Sequence, residues 1–367
     1  MAVINFKQLN SATDVAVTKT ILHEAIPLTG AISRYQTGAY AEANIKNYSH
    51  GQFQSVYDYP YLSSSSNHIF DVTIGITSDS YCSGAAASGS NSGLQLKQKI
   101  NMYSQHAQVL MGYSGSVIRK FESDLSLDLD TTNTMKECVF IDFSRLLIKD
   151  EIKKGTFSMI VGNGATWDAP FATTRTLADS NAGATTGTKN MPGGDYGVLV
   201  DSLASGSNPA GLGVIFYQAG IAVVSASAFG GAGVHGSASN IAQYFHTPEG
   251  TLKKWPAAFA SASISGNCDA VRHRIQNISF NNTAEINSTI YYCRVPHNMF
   301  NWSSNPSYLT GSEIRVKNGV STADAISYVT TVGLYAADNT LLAVAKLSEP
   351  LRKDPTNELT LRVRLDY

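Results

Sequence analysis

The last ten residues, Glu358 to Tyr367, read E-L-T-L-R-V-R-L-D-Y. Leu359, Leu361, Val363, Leu365 and Tyr367 share one parity; Glu358, Thr360, Arg362, Arg364 and Asp366 share the other. Successive side chains of a strand point to opposite faces, so the alternation predicts a half-buried strand with its charged face in solvent. The pattern persists to the final residue, which predicts a chain end pinned in a sheet rather than frayed.

Working outward, Ile326, Tyr328, Thr330, Val332 and Leu334 form a β-branched and aromatic run. Ala336, Ala337, Asp338 and Asn339 interrupt it, and Leu341 to Leu347 begins a second run. Two such runs joined by a short polar segment predict a hairpin. Pro350 and Pro355 bracket a charged link before the last strand, and proline breaks a central strand because it has no N–H. The simplest expectation is a three-stranded antiparallel meander closing one sheet.

A chain of 367 residues predicts two domains, or one large β domain with insertions. Charged residues make up 15%, against about 25% in average globular proteins, and Gly, Ser, Thr, Asn and Ala take their place. That mix suits short strands and turns. The formal net charge of −1 supplies no global field toward nucleic acid or anionic lipid. Cys82, Cys138, Cys268 and Cys293 contain no C-x-x-C pair, so zinc-ribbon and dithiol redox motifs are excluded. Cys138 and Cys293 sit in apolar runs and read as small core residues. The N-terminus lacks a cationic start followed by an apolar stretch, and no run reaches the roughly 20 apolar residues of a membrane span. The expectation is assembly in a reducing cytoplasm without disulfides.

The fold class expected is mainly β: antiparallel, sandwich-like layers with a few short helices. Val15 to Leu22, His68 to Thr77, Val139 to Phe143 and Thr156 to Val161 read as strands. Val214 to Tyr217 and Ile221 to Val224 are continuous apolar runs around Gln218-Ala219-Gly220, which predicts a tight hairpin buried on both faces at the centre of the core. One amphipathic helix is expected near 94–111, where Leu96, Ile100, Tyr103, Ala107 and Leu110 fall on one stripe. Lys97, Gln98 and Lys99 are assigned to its wet side. Val271 to Ile278 fits helix or strand equally. The expected domains are 1–270, β-rich with Gly/Ser-rich insertions at 83–93 and 172–195, and 271–367, an antiparallel β domain. Five tyrosines and Phe53 crowd into Tyr40 to Leu62, either as core packing or as an interface anchor.

Catalytic chemistry finds little support. Gly231-x-Gly233-x-x-Gly236 follows an apolar strand, but no acidic residue follows about 20 positions on, so a flexible loop is preferred to a dinucleotide site. Asp124, Asp128 and Asp130 lack the glycine and terminal glutamate of a calcium loop. No P-loop, H-E-x-x-H or G-x-S-x-G is present. The histidines are scattered, and basic residues are not interleaved with aromatics, so nucleic-acid reading is unsupported. No catalytic, cofactor-binding or metal-binding residue is assigned.

Several long stretches carry a resemblance. They are H-E-A-I-P-L-T-G at 23–30, H-G-Q-F-Q-S-V-Y-D-Y-P-Y-L-S-S-S-S-N-H-I-F-D-V-T at 50–73 and D-E-I-K-K-G-T-F-S-M at 150–159. Further along are G-V-I-F-Y-Q-A-G-I-A-V-V-S-A-S at 213–227, F-N-W-S-S-N-P-S-Y at 300–308 and V-T-T-V-G-L-Y-A-A-D-N-T-L-L-A-V-A-K-L-S-E-P-L at 329–351. Together the chain resembles structural virion proteins of contractile-tailed marine bacteriophages and cyanophages. The resemblance implies a non-enzymatic particle subunit, assembled in the host cytoplasm with copies of itself and other virion proteins, at the tail, baseplate or fibre attachment. Head decoration or neck is the alternative place. A second expectation is a receptor- or glycan-binding fibre module with Trp302, Phe300 and the tyrosine cluster as stacking platforms.

Overall fold

A computed structural model describes residues 6–27, 44–60, 62–80, 92–125, 133–163, 171–183, 187–202, 211–229, 244–246, 252–254, 259, 262–302, 309–310, 313–314 and 324–367. The chain divides into two compact units: residues 22–284, and residues 1–21 with 285–367. In chain order the strands are β1 (Val15–Pro27), β2 (Ile45–Asn47), β3 (Gln54–Tyr57), β4 (His68–Ile76), β5 (Tyr113–Ser114), β6 (Val117–Ile118), β7 (Glu137–Phe143), β8 (Glu151–Ile152), β9 (Ser158–Gly162), β10 (Thr174–Ala178) and β11 (Thr188–Met191). There follow β12 (Gly194–Asp201), β13 (Gly211–Phe216), β14 (Ile221–Ser225), β15 (Tyr244–His246), β16 (Leu252–Lys254), β17 (Ile275–Val295), β18 (Leu309–Thr310), β19 (Glu313–Ile314), β20 (Ser327–Tyr335), β21 (Leu341–Lys353) and β22 (Leu359–Asp366). The helices are α1 (Ser92–Leu110), α2 (Arg145–Ile148) and α3 (Ile264–Arg272). The fold is mainly β and antiparallel, as expected.

In the larger unit the first half of β17 begins an antiparallel sheet ordered β17-β9-β10-β12-β13-β14-β7-β4-β3-β2. The β13–β14 hairpin lies near its middle, with Phe216 opposite Ile221 and Gly220 at φ 70° in the turn. Its continuous apolar runs are buried on both faces. Neighbouring residues on β7 show how: Val139 and Ile141 join one apolar cluster, Cys138 and Phe140 the other. Strands from the two ends of the sheet meet in the first cluster. Phe143 of β7 packs 6.0 Å from Phe157 and 5.2 Å from Phe280 of β17, so the layers are sandwich-like.

Helix α1 covers the second cluster through Tyr103, Ala107 and Leu110, the stripe read from sequence. The approach is close enough to require glycine beneath it. A Cβ on Gly75 would lie 2.7 Å from the Tyr103 nitrogen and 2.9 Å from the Phe140 ring. Helix α3 seals the first cluster, its Cys268 thiol donating to the Val72 carbonyl at 3.3 Å. Ser263 caps α3 by accepting from the Gly266 N–H, satisfying one of the orphan donors of the first turn.

Three sequence expectations change here. The unit boundary falls at 284/285 rather than 270/271, because Ile264, Cys268, Val271, Ile275, Ile278 and Phe280 all belong to the larger core. Residues 172–195 are not an exposed insertion; they supply β10, β11 and the start of β12, with Leu177 in the core. Small polar residues fit there because cross-strand pairing, not side-chain volume, sets strand position. Lys99 is buried rather than wet, and its ammonium donates to the Phe259 and Ala262 carbonyls at 2.6 Å each. Val271 to Ile278 proves to be both alternatives in turn, helix to Arg272 and strand from Ile275.

In the smaller unit the second half of β17 pairs with β22 through eight residues, from Ser288↔Asp366 to Val295↔Leu359. Tyr367 exchanges both backbone hydrogen bonds with Asn287, so the chain end is pinned as its pattern predicted. The β20–β21 hairpin forms as expected, but as a separate two-stranded sheet. The expected meander is therefore wrong in one connection: β22 pairs with β17 instead of β21. Pro350 sits inside β21 without ending it, because the register slips between Val329↔Leu351 and Thr331↔Lys346. A bulge of this kind is where a strand tolerates the missing N–H.

Candidate interaction surface

The ionisable groups of the larger unit are turned into its framework. Asp179 is buried, and burial raises its carboxyl above the usual range against the bonds it accepts from the Gly155 N–H, the Tyr217 hydroxyl and the Phe157 N–H. This carboxylate ties the turn before β9 to the end of β13. Glu137 accepts from the Ser80 hydroxyl beneath the β4 end. Arg272 holds Asp269 at 2.9 Å, and Asp269 also accepts from Gln54 at 2.8 Å, joining α3 to β3. His273 is driven down to about 4 by burial and is neutral at pH 7.

One constellation has the composition of a hydrolytic triad but the wrong order. Asp71 Oδ1 accepts from Ser55 Oγ at 2.5 Å and lies 2.8 Å from His68 Nε2. Activation of a serine needs the imidazole against the hydroxyl, with the carboxylate behind it. Here the carboxylate stands between them, and Ser55 is buried on β3. His106 stacks on Phe140 with ring centroids 4.0 Å apart. Burial opposes its charge, but the Asp142 hydrogen bond prevails and raises its pKa. Among the described residues no group of three or more His, Cys, Asp or Glu is arranged to hold a metal ion. The Gly231 motif, Asp128, Asp130 and the 83–91 segment lie outside the described residues.

The aromatic cluster of 40–62 resolves into neither of its two expected forms. Tyr48, Phe53 and Tyr57 are half-buried and Tyr59 is exposed, along the edge strands β2 and β3. The rings cover each other. His50 stacks on Tyr48 at 5.2 Å, Phe53 tilts against it at 4.7 Å, and the Lys46 ammonium sits 4.8 Å above the same ring. Tyr40 and Tyr61 lie outside the described residues.

Exposed apolar surface concentrates in the smaller unit. Its buried apolar residues, among those described, are Ile290, Leu334 and Val363. On β22, Leu359, Leu361 and Leu365 are only half-buried and Tyr367 is exposed, so the inward face has one buried member rather than five. The hairpin carries the densest patch. A register shift sets both Leu341 and Leu342 against Tyr335, and Gly333 faces Val344 across the pair. Tyr335 and Leu341 fold over Gly333, whose added Cβ would meet them at 2.8 and 3.4 Å. Phe6 leans on Tyr335 with centroids 4.8 Å apart. Tyr335 is 46% exposed, Leu342 68% and Val344 53%. Such a patch on a folded chain marks a surface that another molecule covers.

The base of the hairpin is polar and rigid by contrast. Lys353 is fully buried, donating to Asn301 Oδ1 at 2.5 Å and to the Asp354 and His297 carbonyls at 2.7 and 3.1 Å. Ser327 donates to the Phe300 carbonyl at 2.5 Å. The 297–302 segment is thereby clamped, presenting Phe300 (φ 59°) and Trp302 outward at 40% and 46% exposure. Sequence reading singled out both aromatics but missed the hairpin patch. The signal was present in L-L-A-V-A-K-L, a near-continuous apolar run, which demands cover on both faces.

No protein-family model, curated protein or solved structure matches the chain.

Proposed function

We propose that this protein is a structural subunit of a tailed-bacteriophage particle, acting by assembly and without turnover, at the tail, baseplate or fibre attachment. The observation that carries the reading is the smaller unit's apolar exposure, on a chain whose larger unit is closed and internally satisfied. A unit with so little buried apolar surface gains its stability by association, since net stability of a domain is only about 5–15 kcal/mol and depends on burial. The stretches that resemble virion proteins of contractile-tailed phages supply the setting. Capsid decoration and neck are the alternative places.

The test is imaging of purified particles with a label on the C-terminal region. Label at a fixed position on the tail supports the proposal, and particles without the chain defeat it. A second reading, a receptor- or glycan-binding fibre module, draws on the outward Phe300 and Trp302. Rings of this kind stack on the apolar faces of sugars. A glycan array probed with the parent and Trp302→Ala separates the two: binding lost in the variant favours this reading.

A further inference from the structure

We infer that the smaller unit pairs with a second copy of itself through the hairpin, strand β21 adding antiparallel to the β21 of its partner about Leu342. This deepens the assembly reading by naming one of the partners and its surface.

Three observations converge on that occupant. First, β21 pairs only with β20 among the described residues, so its outer edge presents backbone N–H and C=O groups with no strand beside them. An open edge of this kind accepts another strand by β-augmentation. Second, the apolar patch of Phe6, Tyr335, Leu341, Leu342 and Val344 borders the same edge. Third, the charges are self-complementary. Asp338 and Lys346 each lie four residues from Leu342, on opposite sides. Antiparallel pairing centred there sets each Asp338 against the other copy's Lys346, twice by symmetry. Lys346 forms no ion pair among the described residues, and Asp338 is held ionised by the Thr340 N–H. Residues 285–367 carry eight Lys and Arg and eight Asp and Glu, so two copies meet without net repulsion.

The geometry is isologous, the commonest form of soluble oligomer. A handful of side chains is less than the roughly 800 Å² per partner of a standard interface, so the isolated pair is weak. Micromolar dissociation is expected, strengthened by avidity once many copies are held together in a particle.

The experiment is sedimentation equilibrium of the full chain from about 1 to 200 µM, with melting curves as a folding control. The parent is expected to pass from monomer to dimer, and Leu342→Glu to remain monomeric with an unchanged melt. Lys346→Asp and Asp338→Lys each weaken dimerisation about tenfold, since each places like charges together at two symmetric points. The double swap restores it. Leu342→Cys adds an independent geometric readout. A residue on the two-fold axis of an antiparallel pair has its Cα atoms about 4.5–5.5 Å apart, within disulfide reach. Mild oxidation then yields a covalent dimer that the parent and Val17→Cys do not give. A monomeric parent at every concentration, a dimer indifferent to Leu342→Glu, or a double swap that fails to restore pairing each overturns the inference. If the parent stays monomeric while Leu342→Glu is excluded from particles, a different protein covers the hairpin; the homotypic inference falls and the assembly reading stands. If the dimer behaves as stated but particles lack the chain, the assembly reading falls alone.

Discussion

Strand β7 in the larger unit and strand β21 in the smaller are both rich in apolar residues, and their fates are opposite. On β7, Val139 and Phe140 are each completely buried, one on each face of the sheet. On β21, Leu342 and Val344 remain more than half exposed. The difference lies in what the rest of the chain supplies. Helix α1 and the folded-back strands β9 and β17 provide a cover for each face of β7. Nothing described in the smaller unit plays that part for β21. An apolar strand therefore states a demand for cover, and the chain itself answers it in only one of the two units.

Removing Leu359 to Tyr367 is the strongest way to sharpen that comparison. The deletion takes away every cross-strand partner of β17 between Ser288 and Val295 and the Asn287–Tyr367 pair. One buried and three half-buried apolar side chains go with it, worth roughly 5 kcal/mol, comparable with the whole stability of a small unit. Hydrogen exchange should show protection lost over 285–295 while 68–76 and 137–143 stay protected. Loss of protection throughout would show that the two units do not differ in independence.

Next in size is Phe140→Ala, expected to destabilise the larger unit by about 3–5 kcal/mol in urea unfolding. Phe140 touches Tyr103, Phe121 and His106, and a cavity there has no mobile neighbour to fill it. A cost under about 1 kcal/mol would mean that the α1 side of the sheet is loosely packed.

These two sites also mark how far the sequence was legible. Alternation in E-L-T-L-R-V-R-L-D-Y, the apolar runs of β13 and β14 and the helical stripe of α1 each reflect a local period, and each element formed where its period placed it. Pairing was not legible. β22 turns to β17 rather than to its neighbour in sequence, because register and edge choice depend on surfaces more than 60 residues apart. Lys99 escaped for the same reason: its acceptors are the carbonyls of Phe259 and Ala262, which no local pattern reveals. The hairpin patch was legible as strand and not as surface, since exposure is a property of what fails to arrive.

Acid should separate the units by a smaller margin. In the smaller unit the resolved carboxylates are all held below their ordinary values near 4. Asp14 is held by the Asn10 N–H, Asp338 by that of Thr340, Asp354 by the Thr356 hydroxyl, Glu358 by His297 and Asp366 by the Ser288 hydroxyl. A depressed carboxylate contributes stability that is present above its unfolded value and lost as pH falls through the folded one. The larger unit has similar groups, among them Asp79, which the lysines Lys120 and Lys136 bring to about 2 despite burial. It also has two counterweights. Asp179 is raised by burial, so its protonation favours the fold, and His106 is raised by Asp142, so its contribution is fully present below about pH 6.5. Calorimetry between pH 6 and 3 should therefore show the smaller unit's transition falling faster. Parallel decline would remove the electrostatic side of the contrast.

The smallest expected effect is the most telling about β21. Leu342→Ala should change the stability of the dilute monomer by less than about 0.5 kcal/mol, because an exposed side chain loses little when truncated. The same substitution at a buried leucine costs about 2–5 kcal/mol. A value in that higher range at nanomolar protein would mean that Leu342 is covered within a single chain. A near-zero value in the monomer, together with a clear loss at high concentration, would place the cover of β21 outside the chain. The same side chain would then contribute nothing to folding and measurably to association.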